Sequence, residues 1–195
     1  AWNNDIHEVN EAYKNYGLQA AGHPELTDGY LASYYNMIPY VRETTKKFYG
    51  FDALRFPHTS GYKGEERETW PLNFKYQYMQ SSSGLIAQVM WDQYLFTQDK
   101  EELKNRIYPI IAGSADFYAN YMQKEEDGKY HIFPTFSPEQ WASIYCRDAA
   151  IDLAMARCTL RAAIESAKIL GVDAEKAAVW QEVLDNFCEY PRDEK

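Results

Sequence analysis

Apolar residues recur along most of the chain at spacings of three and four, which is the period of a helix with one packed face. Strict alternation, the mark of a half-buried strand, is almost absent, and only a short extended piece is expected within residues 129–136. The pattern therefore predicts an all-α fold. The predicted helices cover residues 6–21, 25–49, 78–96, 99–122 and 149–170, with a sixth that begins after Asp173.

Helix boundaries are marked by residues that suit helix ends. Gly50 and Gly171 follow the second and fifth helices, where a left-handed C-terminal residue is favoured. Asp99, followed by Glu102, predicts a capping box, and Asp173 is expected to cap the sixth helix. The result is three antiparallel helix pairs with long loops after the second and fourth helices.

Two prolines lie inside predicted helices. Pro39 should kink or split the second helix, and Pro109 should interrupt the fourth, because proline lacks the amide hydrogen that a helix uses. The long loop over residues 51–75 is rich in aromatic residues. A loop of that length inside a compact domain is functional or disordered, and its aromatic and histidine content favours an ordered one.

Composition narrows the classes of partner. The 195 residues carry a net charge of −9, with no Lys/Arg block longer than two residues. We therefore expect no nucleic-acid partner and no membrane partner, because basic patches supply affinity for both and no apolar run is long enough to span a bilayer. Aromatic residues make up 16% of the chain. Such rings suit a sugar-binding cleft, but they equally suit thick helix-packing layers.

The cysteines and short motifs give no sign of a cofactor. Cys146, Cys158 and Cys188 are odd in number and lack metal-type spacing, and Cys158 lies on an apolar helical segment, where we expect a buried thiol. Phosphate-loop and nucleophile-elbow patterns are absent from the sequence. The sequence predicts neither a cofactor nor a metal site.

The most informative stretch is the loop Phe133–Trp141, which contains Ser137-Pro138-Glu139. Pro138 stiffens the chain next to Glu139, and Phe136 and Trp141 place aromatic surface nearby. A carboxyl partly removed from water has its charged form disfavoured, so its pKa rises, as a general acid near neutral pH requires. The alternative is a solvated surface glutamate on a loop that covers helix ends.

Several motifs together resemble the (α/α)6-barrel glycoside hydrolases, most closely the α-L-fucosidase type of glycoside hydrolase family 95. The matching segments are Met90–Asp99 (MWDQYLFTQD), Tyr108-Pro109, Phe117, Phe136–Glu139 (FSPE), Asp152 and Ala163–Asp173. The resemblance implies that Glu139 is the general acid of an inverting, exo-acting hydrolysis. It also implies that residues 1–195 form three of six hairpins and that the remainder of the barrel completes the domain, in the same longer chain or as a partner.

The sequence departs from this family near its first helix. The family usually has Asn-x-Asn shortly before an Asn-Tyr pair, but Val9 and Glu11 stand at those positions here, with Asn10 between them. A shift of one residue turns a helical side chain by about 100°. The substrate is therefore left open between an α-L-fucoside and the substrate of a related helical-barrel glycosidase.

Four further residues are candidates for binding an oligosaccharide or glycan substrate. His7 and Asn10 lie on the first predicted helix, and His58 and Trp70 lie on the long loop. Histidine and asparagine hydrogen-bond hydroxyl groups, and tryptophan stacks on a pyranose face. The alternatives are internal polar contacts or anchors for the loop. Asp152 is expected to cap or pair at the start of the fifth helix.

Two other functions remain open from the sequence. A non-catalytic sugar-binding domain of the same fold fits the displaced asparagine, and a helical scaffold for protein partners fits the paired helices. A lyase or phosphorylase is also compatible with such a barrel, because a fold does not fix a reaction.

Overall fold

A computed structural model describes residues 5–7, 9–61, 63–64, 74–136 and 145–192. The predicted all-α class is confirmed. None of the described helices is both long enough and apolar enough to cross a bilayer. The helices are α1 Val9–Ala20, α2 Asp28–Tyr49, α3 Ser81–Thr97, α4 Lys100–Glu102, α5 Tyr108–Tyr121, α6 Ala150–Leu170 and α7 Ala174–Asp185.

Two short antiparallel strand pairs accompany the helices. Strand β1 (Asp5–Ile6) pairs with β2 (Thr59–Ser60), and β3 (Gln123–Lys124) pairs with β4 (Tyr130–His131). The predicted start of the first helix at residue 6 is therefore wrong. Residues 5–6 hydrogen-bond to the distant β2 instead, which the local helical pattern could not indicate.

The helices form two layers. Helices α1, α3 and α6 contact one another in succession, and so do α2, α5 and α7. Helix α5 also packs on α3 and α6, so the main core lies between the layers. Three consecutive helix pairs stacked in this way agree with the expected hairpin arrangement.

The helix ends follow local chemistry with one exception. Gly50 and Gly171 end α2 and α6 with positive φ angles of 84° and 69°, as predicted. Asp99 caps α4, and its Oδ1 accepts the amides of Glu101 at 2.9 Å and Glu102 at 3.0 Å. The prediction that the Asp173 side chain caps α7 is wrong. Asp173 has a φ of 51°, and its Oδ2 accepts the Tyr108 hydroxyl at 2.7 Å instead.

The two internal prolines are accommodated without loss of the helices. Pro39 lies within an unbroken α2, so the helix is not split there. Residues 100–121 are helical throughout, but Leu103–Ile107 widen into a π-helical turn before Pro109. Because the proline ring crowds the preceding turn and donates no hydrogen bond, a locally wider turn is a natural response.

Close packing of α3 on α6 depends on a small residue. A Cβ atom added to Gly84 of α3 would stand 2.3 Å from Met155 Cβ and 3.0 Å from its backbone. The buried side of α6 carries Leu153, Ala156 and Leu160. Cys158 of α6 is exposed, so its expected burial is wrong, because it lies on the face turned away from that packed side.

We expect Gly84→Ala to destabilise the full-length protein by about 1–3 kcal/mol, because the added methyl group meets backbone atoms of Met155. The matched control is Gly17→Ala in α1, where an added Cβ has no neighbour within 4 Å. That substitution should be neutral or stabilising by up to about 1 kcal/mol, because alanine favours the helix. Urea unfolding of both variants tests the contrast, and equal effects would contradict the packing argument.

Candidate active site

A buried irregular segment, Ala53–Gly61, leads from the end of α2 into the candidate site. All nine of its residues are buried, although it forms no helix. Three consecutive backbone amides of this segment donate to other elements. Leu54 N donates to Gly113 O, Arg55 N to Thr45 Oγ1 and Phe56 N to Ser83 Oγ, each at 2.9 Å. These bonds fix the path of the segment across α2, α3 and α5.

The segment brings together two histidines that were predicted separately. His7 N donates to His58 O at 2.6 Å beside the β1–β2 pair. The His58 ring stacks on Tyr76 with 4.3 Å between ring centroids and an interplanar angle of 9°, and Phe136 packs edge-on against Tyr76 at 5.4 Å. We call His7, His58, Tyr76 and Phe136 the histidine wall. It joins the first strand to the last described residue before Ser137-Pro138-Glu139.

His7 is a buried, neutral imidazole. Its Nδ1 lies 2.7 Å from the Tyr34 hydroxyl, and its Nε2 lies 2.7 Å from Ser60 Oγ. Because Ser60 Oγ donates to Gly61 O, it can accept a hydrogen from Nε2, which leaves Nδ1 to accept from Tyr34. Burial, and secondarily the charge of His58, lowers the pKa of His7 to about 4.

A second polar group lies at the N-terminal ends of α3 and α6. Arg55 donates from Nε to Gln80 Oε1 at 3.3 Å and from Nη2 to the carbonyl oxygens of Tyr76 and Gln77. This buried guanidinium therefore holds the turn that precedes α3. Among the titratable groups near it is Asp152 of α6.

Asp152 is fully buried, and neither of its carboxyl oxygens has a hydrogen-bond partner among the described residues. The cap expected at the start of α6 is therefore not formed by this side chain. Burial raises the pKa of Asp152 to about 7. The Ser81 hydroxyl, the backbone amides of Gln80 and Ser81 and the charge of Arg55 lie near enough to oppose this rise, but burial outweighs them.

Two flanking segments hold the loop that carries Glu139. Thr135 and Cys146 exchange backbone hydrogen bonds of 3.0 and 2.9 Å. Phe136 N donates to Tyr78 O at 3.0 Å, and the Tyr121 hydroxyl donates to Pro134 O at 2.6 Å. We call residues 132–136 and 145–148 the loop stem. The stem is thus tied both to the end of α5 and to the turn before α3.

The structure describes three of the five predicted site residues, and two of these three lie together. His7 and His58 lie together in the histidine wall, and Asn10 is exposed on α1. Glu139 and Trp70 lie outside the described residues. The prediction that His7 lies on the first helix is wrong. His7 precedes α1, because its backbone joins the extended β1–β2 region. The binding roles of all five residues remain predictions.

Sequence reasoning missed Arg55 and Tyr76. A cationic residue between the apolar residues Leu54 and Phe56 was a usable signal, because an arginine buried among apolar neighbours needs several acceptors. The stacking of Tyr76 on His58 had no such local signal. It depends on the fold bringing the long loop back onto itself.

The family of the chain follows from comparison with known proteins. Residues 1–193 match the model of the glycosyl hydrolase family 95 catalytic domain, so the chain belongs to this family of glycoside hydrolases. The resemblance expected from the sequence is confirmed at the level of the family.

Individual relatives carry different names. The chain is 31% identical over 166 residues to a kojibiose hydrolase of Flavobacterium johnsoniae, a match that covers 85% of this chain and 24% of the relative. It is 39% identical over 49 residues to alpha-L-fucosidase 2 of Arabidopsis thaliana, which covers 25% of this chain and 6% of that protein. The chain thus spans about a quarter of the length of the kojibiose hydrolase.

A solved structure has the same fold. It is described as a candidate kojibiose phosphorylase from the human microbiome, and it superposes with a TM-score of 0.73 at 12% identity. The match covers 95% of this chain and 28% of the other. At this identity the likeness supports the helical-barrel architecture and nothing about the reaction.

We expect acid to destabilise the protein partly through His7. Its folded pKa of about 4 lies below the unfolded value of 6.5, so the unfolded chain binds the extra proton and stability falls as the pH drops through this window. The loss amounts to about 3 kcal/mol at most. The unfolding free energy, measured with urea, should therefore fall less between pH 7 and pH 4 in His7→Gln than in the wild type, by up to this amount. His23→Gln, at an exposed histidine, is the control. An unchanged pH dependence in His7→Gln would refute the assignment.

Asp152 should act in the opposite direction. Its folded pKa of about 7 lies above the unfolded value of 3.8, so the native state binds the extra proton and stability falls as the pH rises from about 4 to about 7. Asp152→Asn should remove this loss, which is about 4 kcal/mol at most. The difference in unfolding free energy between Asp152→Asn and the wild type should therefore be more favourable to the variant at pH 8 than at pH 4. Asp185→Asn, at an exposed position of α7, is the control. If Asp152→Asn showed the same change in stability between pH 4 and pH 8 as the wild type, the prediction would be contradicted.

Proposed function

We propose that this chain supplies the general acid, Glu139, to an inverting hydrolase that removes a terminal sugar from a glycan. The observation that carries the proposal is the match to the family 95 catalytic domain over residues 1–193, within which Ser137-Pro138-Glu139 lies. The loop stem supports it, since its two sides hydrogen-bond each other, and Pro134 and Phe136 are bonded to α5 and to the turn before α3. A rigid support is what a catalytic side chain needs.

In this mechanism Glu139 gives its proton to the glycosidic oxygen as the bond from that oxygen to the anomeric carbon breaks. A water molecule attacks the anomeric carbon from the opposite face and loses its proton to a second carboxylate, the general base. The two carboxyl groups of inverting enzymes stand about 6.5–9.5 Å apart, which leaves room for that water. The base would come from the remainder of the protein, which would also supply the rest of the barrel.

A buried aromatic contact precedes Glu139 along the chain and supports the proposed acid role. Phe136, three residues earlier, is fully buried against Tyr76 in the histidine wall. Aromatic surface beside a carboxyl excludes water and raises the pKa of that carboxyl. His58, Asn10 and Trp70 are proposed to contact the sugar, His58 and Asn10 through hydrogen bonds and Trp70 by stacking. His7, whose ring nitrogens already bond Tyr34 and Ser60, is proposed to support the wall of that subsite.

A kojibiose-type substrate is proposed ahead of an α-L-fucoside. The relative matched over 85% of this chain is named a kojibiose hydrolase, whereas the named fucosidase of Arabidopsis matches only 25% of it. The displacement of Asn10 from the expected Asn-x-Asn positions points in the same direction. It also sustains the second candidate, a domain of this fold that binds sugar without cleaving it.

We expect Glu139→Gln in the full-length protein to lower kcat on the natural glycoside by about 10²–10⁴-fold, because the leaving oxygen loses its proton donor. Turnover of the matching glycosyl fluoride should be affected much less, because fluoride leaves without a proton. Glu126→Gln, at an exposed residue of the β3–β4 turn, is the matched control and should keep wild-type activity.

The readout is hydrolysis of a panel that contains kojibiose and an α-L-fucoside, with the anomer first released identified by NMR. Inversion of the anomeric configuration is expected. Unchanged turnover in Glu139→Gln would refute the acid assignment, and retention would refute the single-displacement mechanism. Sugar binding without hydrolysis in the wild-type protein would favour the non-catalytic candidate.

A further inference from the structure

Three segments meet at the end of the loop stem that contains Ile132 and Asp148. Tyr130 and Cys188 are joined by backbone bonds, with Cys188 N donating to Tyr130 O at 3.2 Å and Tyr130 N to Asn186 O at 2.8 Å. Asp148 N donates to Ile132 O at 3.0 Å. These backbone hydrogen bonds therefore hold three segments side by side: β4, the stretch around Asp148 that precedes α6, and the segment that follows α7.

The side chains at this junction converge on one point. One ring nitrogen of His131, a carboxylate oxygen of Asp148 and Cys188 Sγ all lie within 4.8 Å of one another, and His131 Nδ1 is the nitrogen that bonds Asp148. Asp148 and His131 side chains are only 13% and 12% exposed, and Cys188 is 3% exposed. Nitrogen, oxygen and sulfur donors in this combination are those that zinc and related transition metals prefer.

The orientation of the histidine fits a ligand role. His131 Nε2 lies 3.0 Å from Asp127 Oδ2, so the second ring nitrogen is held by a carboxylate. Metal-bound histidines usually donate their other N–H to such a carboxylate, which fixes the ring and the tautomer. Asp148 is similarly held, because its Oδ1 accepts Ile132 N at 2.8 Å and leaves Oδ2 towards His131.

We propose that His131, Asp148 and Cys188 form a binding site for a divalent transition metal, with Zn²⁺ as the expected ion and Asp127 as the residue that orients His131. A fourth ligand would be water. An ion bound there would link the loop stem, through Asp148, to the segment after α7, through Cys188.

The observed distances require only a small adjustment. His131 Nδ1 and Asp148 Oδ2 are 2.7 Å apart, which is a hydrogen-bond distance. A nitrogen and an oxygen around one tetrahedral zinc ion stand roughly 3.3 Å apart, so this pair must open by about 0.6 Å. A donor pair at the 4.8 Å limit of the cluster must close by about 1 Å, to the roughly 3.8 Å that a sulfur ligand allows. Binding would release the proton shared by His131 and Asp148 and the Cys188 thiol proton.

The surrounding charges favour a cation on balance. Asp127, Asp148 and Glu125 carry negative charge. Two positive charges oppose these three: Arg147 bridges Glu125 and Asp148 from the outside, and Arg157 donates to Cys188 O at 2.9 Å. Arg147 is 47% exposed, so it can move away from Asp148 when an ion enters. It retains Glu125 as a partner.

The test uses the full-length protein with Co²⁺ as an optical probe and Zn²⁺ in calorimetry. We expect saturable binding of one ion, with proton release and a thiolate-to-cobalt charge-transfer band. Cys188→Ser should abolish that band and weaken Zn²⁺ binding at least tenfold. Asp127→Asn should keep the band but weaken binding by about 10–100-fold.

The matched control is Cys158→Ser, because Cys158 is an exposed thiol of α6. It should leave both the band and the affinity unchanged. His131→Gln, with its fold checked by circular dichroism, keeps the test decisive if Cys188→Ser fails to fold. Absence of saturable binding by the wild type, or a band that survives in both Cys188→Ser and His131→Gln, would overturn the proposal. None of these readouts depends on glycosidase activity.

Discussion

The structure depends on the need to hydrogen-bond the backbone of a buried segment that is not a helix. Residues 53–61 run through the interior, where an unpaired amide costs as much as a lost hydrogen bond. Thr45, Ser83 and Gly113 accept its amides from three different helices. These hydrogen bonds offset the cost of burying the segment. They also link α2, α3 and α5 and fix the position of the chain that leads to His58.

The candidate site is built outward from that segment. His58 stacks on Tyr76, Tyr76 contacts Phe136, and Phe136 is the last described residue before the Ser-Pro-Glu sequence. Buried groups around this path are held neutral or satisfied by many acceptors. His7 lies between two hydroxyl groups, and Arg55 binds backbone carbonyl oxygens. Such an interior resists rearrangement, because moving one polar group leaves another without a partner.

The loop stem links this interior to the junction of His131, Asp148 and Cys188. One end of the stem contacts α5 and the turn before α3, and the other end follows β4, whose Tyr130 bonds the segment after α7. The described residues on either side of positions 137–144 are thus anchored to the rest of the fold. The chain belongs to a family of glycoside hydrolases and spans about a quarter of the length of a kojibiose hydrolase relative.

The sequence alone determined the helices, their glycine ends, the Asp99 cap and the family, because these depend on local periodicity, backbone preferences and short motifs. It also singled out Glu139, whose role stays a prediction. It could not determine that residues 5–6 form a strand, that Cys158 faces outward, or that Asp173 bonds Tyr108 rather than its own helix. Each of these depends on a partner distant in the chain. Only the tertiary structure decided them, because hydrogen bonding and packing across the core outweigh local preference.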